Sequence, residues 1–364
     1  NDPMTSEGIF VFTSTAPTVA VGHLARVTAT VTEYNVGAAS NAGTAANPLT
    51  ELTTPAIAVL GVGFNITPPI ITFPEVNEGN LERYEGMLVR IDGPLTVGQN
   101  YFLGRFGQLT VSAGGRLEKP TNRYPAGSID AIAMAEDNAR RRILLDDGTS
   151  LQNPNPTPYL AADNTVRAGD TIDGITGVID FGLATSSNTG LGDFRIHPTA
   201  APTFTRSNPR TTAPASVNGN IKVASFNVLN YFTTFTNGQT ASGGSGQGCT
   251  LGGASAAANC RGADNLAEFT RQQTKIVNAI KALNADVVGL MEIQNNGNVA
   301  LQNLVTALNT AYGSNVYAAV TNLNGSTGDD AIRVAMIYKP SAVNPINQAI
   351  SDNDPIHNRP PLMQ

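Results

Sequence analysis

Over residues 1 to about 195 the apolar positions fall in short runs that alternate with polar ones and stop at Gly, Pro or Asn. The clearest are "GIFVF", "ARVTATVTEY", "GMLVRIDGPLTV", "NYFLGRFGQLTVS", "RRILLDDG" and "TIDGITGVIDF". A period of two turns one face of each run toward a core, and the regular turn residues predict short strands in small barrels or sandwiches. Residues 199–220, rich in Pro, Thr and Ala with few large apolar side chains, read as a linker. After it the period changes. In "IKVASFNVLNYF" Ile221, Val223 and Ser225 share one strand face, and Lys222, Ala224 and Phe226 share the other. Leu266, Phe269, Ile276, Val277, Ile280 and Leu283 recur at helical spacing, with Asp264 as N-cap and an end near Asn284. "DVVGLME" predicts a strand, and Leu301, Leu304, Val305, Leu308 and Tyr312 a second helix. "VYAAV" and "IRVAMIY" supply two more strands, so the C-terminal part predicts an α/β unit distinct from the β-rich front.

A weak repeat refines the front half. "VAVGHLARVTATVTEY" from Val19 aligns without gaps to "VRAGDTIDGITGVIDF" from Val166, with Val19/Val166, Gly22/Gly169 and Val31/Val178 identical. Two related barrel-like modules, residues 1–75 (β-rich and OB-like) and 78–205 (OB-like), follow as the simplest expectation, against a chance match between two β hairpins, then a linker at 206–220 and the α/β unit at 221–364.

Composition narrows the function classes. Only 14% of the residues are charged, against 36 Gly and 22 Pro, which favours turn-rich β structure. At roughly 150 residues per domain, 364 residues suit two or three units. A formal charge of -6 leaves no basic footprint, so a polyanion would have to be held by a local patch or through metal ions. That disfavours a tight static nucleic-acid binder more than an enzyme that releases its product. No run approaches the ~18 apolar residues of a membrane span. The chain opens at Asn1 without a Met or a charged-then-apolar leader, and is expected to be processed or excerpted. No obligate protein partner is evident.

Cys249 and Cys260 enclose ten residues, "TLGGASAAAN", that cannot bury a core of their own. A disulfide contributing roughly 2 to 3 kcal/mol is the natural way to order them, against a zinc half-site or two free thiols. A disulfide implies an oxidising compartment, extracellular or periplasmic.

The chemistry centres on two strand ends. Strand, helix and strand in succession favour a right-handed crossover with parallel strands, roughly 4.8 Å apart if adjacent. Asn227 ends the first and Glu292 the second, so both emerge at the carboxyl edge where open α/β sheets keep their sites. A carboxylate beside an amide oxygen suits Mg²⁺, Mn²⁺ or Ca²⁺ and suits zinc poorly. The plainer alternative is a turn-forming Asn and a solvated Glu. His23, His197 and His357 have no partner at motif spacing and read as structural or solvated, and Arg140, Arg141 and Arg142 as a solvated strand start.

Four blocks, "SFNVLNYF", "RGADN…RQQTKIVNAIKALNADVVGLMEIQNN", "DDAIRVAMIYKP" and "NRPPL", resemble in order and spacing the first half of the endonuclease/exonuclease/phosphatase fold, which includes pancreatic deoxyribonuclease. The chain is similar in particular to secreted ExeM-type nucleases of Gram-negative bacteria, which carry an OB-like domain before the catalytic one; "YEGMLVRIDGPLTV", "RILLDDG" and "VRAGDTIDGITGVI" look like that domain. The resemblance implies a mixed fold, with β-rich OB-like modules followed by the first half of a DNase I-like α/β four-layer sandwich. It implies Glu292 and Asn227 as Mg²⁺ (or Mn²⁺, or Ca²⁺) ligands, Asn230 near the scissile phosphate, and Arg359 as a phosphate contact. Asp330, Arg333 and Tyr338 frame a strand where a cleft-edge role competes with an exposed charged edge. Where the deoxyribonuclease pattern has an Arg two residues after the Glu, this chain has Gln294.

The family also uses an Asp-His pair and an Asp-x-Asn pair, which should follow "NRPPL", and the chain stops at Gln364. The expectation is a fragment with about half a catalytic domain, inactive and aggregation-prone by itself. The function implied is a secreted, metal-dependent nuclease acting on extracellular DNA, with Tyr101, Phe102 and Phe106 of the OB-like part offering a stacking surface for single strands. Another phosphoesterase of the same fold, or a non-catalytic surface- or matrix-binding protein, are the alternatives.

Overall fold

The computed structural model describes residues 4–183, 190 and 192–364. The chain divides into two compact units, Asn1–Arg210 and Thr211–Gln364. Among the described residues no helix is long and apolar enough to cross a membrane.

The first unit begins with β1 (Leu24–Tyr34) and β2 (Leu49–Gly61), an antiparallel hairpin, with the short strand Phe10–Val11 parallel to β2 on its other side. This is an open three-stranded sheet and not a second barrel. Its side chains explain why: Leu24, Val31, Val59 and Leu60 all remain exposed, so the sheet has no apolar interior on which to close.

The barrel lies further on, in β3 (Leu88–Gln99), β4 (Leu109–Ala113), β5 (Arg142–Leu145), β6 (Thr171–Leu183) and β7 (Gly192–Pro198). Helix α1 (Ile129–Ala139) separates β4 from β5, and Ser128 caps it by accepting from Ala131 N. β3 pairs with β4, β4 with β5, β5 runs parallel to β7, β7 pairs with β6, and β6 returns to β3 and closes the ring. A small closed barrel of five strands is consistent with the OB-like expectation. Period two fills it: Val89, Ile91, Leu95 and Val97 of β3 meet Val111, Ile143, Ile179 and Ile196, all fully buried. Each such side chain contributes roughly 1.5 to 3 kcal/mol.

The repeat has a structural counterpart. Gly22 and Gly169 both take left-handed φ, +86 and +101, and each stands two residues before a strand, β1 at Leu24 and β6 at Thr171. The aligned segments share a turn and a strand start, but differ in what they pair with.

The second unit is built on a four-stranded mixed sheet. Its strands are β8 (Val223–Tyr231), β9 (Val287–Gln294), β10 (Ala318–Ala319) and β11 (Ile332–Tyr338), in the order β8-β9-β11-β10. β8 and β9 are parallel, joined by α2 (Leu266–Leu283), and α3 (Val299–Tyr312) follows β9. Phe269, Ile276 and Ile280 of α2 and Leu301, Leu304 and Leu308 of α3 pack on Val288, Leu290, Ala335 and Ile337 in one core. β8 alternates as its sequence predicts: Ala224 and Phe226 pack against that core, and Val223, Ser225 and Asn227 are exposed.

The N-cap of α2 is Asn265, one residue later than the spacing suggested. Its side chain accepts from Glu268 N while Glu268 accepts from Asp264 N, a reciprocal pair that stops helix growth at that point. The end falls at Asn284, with φ +48. Cys249 and Cys260 are bonded to each other, closing a small hairpin of Cys249–Leu251 with Ala254–Ala256. A further three-stranded sheet gathers Leu323–Asn324, Ala349–Ser351 and Leu362–Met363.

Candidate functional site

β8 and β9 run in register from Val223↔Val287 to Asn227↔Met291 and then slip, the next pair being Tyr231↔Ile293. Residues 228–230 therefore bulge from β8 opposite one residue of β9, Glu292. β9 also slips against β11, from Leu290↔Ala335 to Ile293↔Arg333, so Met291 and Glu292 stand opposite the single residue Val334, and Glu292 lies at both irregularities.

The bulges require unusual backbone. Leu229 and Asn230 both have φ +51, and Glu292 has φ +67. Three of the ten non-glycine residues with positive φ among the described residues thus meet at one point. Such conformations cost on the order of 1–3 kcal/mol each and persist only where surroundings enforce them. Here the enforcement is explicit. Gln272 of α2 donates its Nε2 to the carbonyl of Leu229 at 2.6 Å and lies 3.3 and 3.5 Å from those of Val228 and Asn230. Glu292 Oε2 accepts from Asn230 N at 3.0 Å, and Oε1 from Asn227 Nδ2 at 2.8 Å; Asn227 Oδ1 accepts from Leu229 N at 2.7 Å. One half-buried carboxylate therefore organises both strand ends, and Leu229 is pushed outward, 72% exposed.

The donors fit a hard, largely hydrated divalent ion anchored on one carboxylate. A carboxylate has about four lone-pair sites and Glu292 uses two of them on the protein, so oxygens remain for a cation. They do not form a cage: among the described residues no group of three or more His, Cys, Asp or Glu is placed to hold a metal. Asn227 turns its NH₂ toward Glu292, and coordination by its oxygen requires the amide to turn over and release Leu229 N.

Residues beyond Glu292 are tied down. Gln294 is buried, its Oε1 accepting from Thr233 N at 2.8 Å and Thr234 N at 3.0 Å. It splices the chain after β8 to β9 and is not available to a phosphate. Asp330, also buried, pairs with both Arg261 and Arg359, the latter at 3.4 Å. Two of the sequence candidates thus meet each other, joined by Arg261 of the "RGADN" block. Arg333 is buried too: its Nη2 donates to Asn298 Oδ1 at 3.0 Å, its Nε has no hydrogen-bond partner among the described residues, and burial holds its pKa below the usual value. Gln272 has no signal in sequence except its place in "RQQTK".

In the first unit, His197 stands between two carboxylates, Nε2 3.1 Å from Asp180 and Nδ1 3.3 Å from Asp146, with Arg195 bridging the same pair. Burial pushes His197 down, but the two carboxylates outweigh it and hold it at about 9. Burial likewise raises Asp146 and Asp180, and His197 and Arg195 more than reverse that, leaving both below the ordinary value. The histidine is structural, as its lack of a motif suggests. His23 accepts from Ala20 N, and His357 lies 3.1 Å from Asp352 in an exposed turn. Arg140 and Arg141 pair with Asp137, and Arg142 with Asp193. Tyr101 is 79% exposed, edge-on to Phe102, and Arg105 lies over the Phe106 ring.

Compared with models of protein families, with curated proteins and with solved structures, the chain matches none.

Proposed function

We propose that the chain is part of the machinery of a secreted, divalent-metal-dependent nuclease that hydrolyses phosphodiester bonds of extracellular DNA. The observation that carries this reading is the set of strained residues Leu229, Asn230 and Glu292, converging on one solvent-accessible carboxylate at the carboxyl ends of two parallel strands. The resemblance in four ordered blocks, the disulfide and the α/β arrangement support it.

In this reading Glu292 anchors Mg²⁺ or Mn²⁺, and Asn227 joins as a ligand once its amide turns over. A bound cation supplies charge neutralisation at the phosphate oxygens and leaving group. The chain's own part is to hold and orient: Asn230 lies beside the scissile phosphate, and Gln272 keeps the bulge from relaxing. The resemblance assigns water activation to an Asp-His pair, so the roles given to these residues concern holding cation and substrate. Tyr101, exposed on the barrel unit, offers a stacking face for an unpaired base.

Two measurements test this. Mn²⁺ added to the 364-residue chain should broaden the amide signals of Asn227 and Asn230, and Glu292→Gln should abolish the effect. In the protein as purified from culture medium, Glu292→Gln should lower metal-dependent DNA hydrolysis by about 100-fold or more. Unchanged broadening together with unchanged hydrolysis would reject the site. Hydrolysis of nucleotides or phospholipid headgroups with DNA left intact would move the assignment to another phosphoesterase.

A further inference from the structure

We propose that Arg261, aligned by Asp330 and by the adjoining Cys249–Cys260 disulfide, forms with Arg359 a two-guanidinium grip for a phosphate oxyanion next to Asn230, and that reduction of the disulfide loosens it. The assignment of that phosphate to nucleic acid rests on the nuclease reading above; the anion site itself does not.

The charge balance is the first argument. Two guanidinium groups share the single carboxylate of Asp330, whose side chain is 11% exposed, while Arg261 and Arg359 are 41% and 40% exposed. The anion faces inward and the cations outward. Asp330 is itself fixed, its Oδ1 accepting from Ile332 N at 3.2 Å and its backbone carbonyl from Asn295 Nδ2 at 3.0 Å. Each guanidinium carries five N–H donors and Asp330 occupies only part of them, so a planar fork remains for a phosphate. The neighbouring Asp329 is solvent-exposed, where salt screens it. Together Arg261, Arg359 and Asp330 carry a formal charge of +1, with the positive groups on the solvent side of the cluster in a chain of net charge -6.

Position is the second. Gly262, directly after Arg261, packs so closely on β8 that a Cβ there would lie 2.9 Å from the Asn230 carbonyl and 2.6 Å from Phe232 Cβ. Arg261 therefore stands beside the bulge that Glu292 organises.

The disulfide is the third. Cys260 precedes Arg261 in the chain, and the pair is buried with Phe232, Ala331 and Ile332 in one small cluster. That cluster fixes the approach to Arg261 and the residues after Asp330 together. Most of the loop between the cysteines is exposed, and apart from the bond it is held by the short hairpin, by Asn259 Nδ2 on the carbonyls of Cys249 and Ala254 and by Gly252 N on the Asp329 carbonyl, with no buried apolar side chain between the cysteines to replace the bond once it opens.

The test is fluorescence anisotropy of a labelled single-stranded oligonucleotide on the 364-residue chain, in EDTA so that nothing is hydrolysed. Arg261→Ala should weaken binding about tenfold and lower the salt slope by about 0.7, relative to the charge-matched control Arg271→Ala on the exposed side of α2. Arg261→Lys keeps the charge but not the fork and should lose on the order of threefold. Binding by both Arg261 variants equal to the control overturns the proposal. Mild reduction should bring the wild type down toward Arg261→Ala and leave that variant unchanged; an equal drop in both overturns the latch. Competition by inorganic phosphate at matched phosphate concentration identifies a single-phosphate site, and competition only by oligonucleotide identifies a backbone site. If the nuclease reading fails, no metal-dependent hydrolysis will be seen, and the EDTA comparison still decides this site.

Discussion

His197 sits between Asp146 and Asp180 in the barrel unit, and replacing it with Gln removes one positive charge from a network of two carboxylates and Arg195. The carboxylates raise His197 from 6.5 to about 9. At about 1.4 kcal/mol per pKa unit, that rise corresponds to about 3 kcal/mol of stability. Because the folded value lies above the unfolded one, the contribution is complete below about pH 6.5 and vanishes as the pH passes about 9. Two other groups slope the same way at lower pH. Glu75 and Glu85 are each raised from 4.5 to about 7 by burial, so their contribution is present below about 4.5 and lost by about 7. Asp146 and Asp180 are lowered, and what they contribute is lost only as pH falls below the ordinary carboxylate value. Wild-type stability should therefore decline from about pH 5 to about pH 9. The difference between wild type and His197→Gln isolates the upper window: about 3 kcal/mol near pH 6, approaching zero near pH 9.5. Urea denaturation followed by far-ultraviolet circular dichroism reads it, with limited proteolysis and mass spectrometry to assign the transition to the barrel. At a urea slope of about 2–3 kcal/mol/M the midpoint gap near pH 6 is about 1 M. A gap that stays constant across this range, or widens with pH, would refute the reasoning.

Three further outcomes follow from named contacts. Gln272→Ala removes the donor that gathers the carbonyls of residues 228–230, and should cost about 1–3 kcal/mol and shift the Asn230 amide signal more than those of the α2 core. Gln294→Leu removes the oxygen that accepts from the buried Thr233 and Thr234 N–H groups, so the second unit should lose about 2–4 kcal/mol in chemical denaturation. Opening the Cys249–Cys260 loop by replacing both residues with Ser should cost about 3 kcal/mol by the loop-entropy estimate, measured as a lowered urea midpoint.

Periodicity made the regular elements legible. The α2 stripe from Leu266 to Leu283 and the α3 stripe from Leu301 to Leu308 became helices on one core, because apolar residues at helical spacing have a single face to bury. The alternation of β8 places Asn227 on the exposed face and Phe226 on the inward one whatever strand pairs beside it. The repeat was legible as far as its local chemistry extends, since Gly22 and Gly169 take the left-handed turn that only glycine adopts readily. It did not reveal that one copy lies in an open sheet and the other in a closed ring. Closure depends on whether the neighbouring strands also present an apolar face, and Val31 and Leu60 find none.

The candidate site divides along the same line. Asn227 and Glu292 were visible because each closes an apolar run, a local property of sequence, but the strands do not end there: β8 runs on to Tyr231 and β9 to Gln294, past the bulge. Arg261 and Gln272 were not visible, because each matters through a residue tens of positions away: Asp330 and the carbonyl of Leu229. His197 had no motif because Asp180 and Asp146 come from the two strands that flank β7, from β6 and from the residue just after β5, which lie 17 and 51 positions away in the chain. The sequence by itself determined most of the strands and the helices α2 and α3, though not α1 within the β-rich front, and it determined which side chains seek a core and that two cysteines lie within reach of each other. Only the tertiary structure decided that Glu292 is a bulged residue at positive φ, that Gln294 serves the fold, and that two arginines share one buried aspartate. Local propensity acts over a few residues, whereas pairing register and burial are settled by partners distant in the chain.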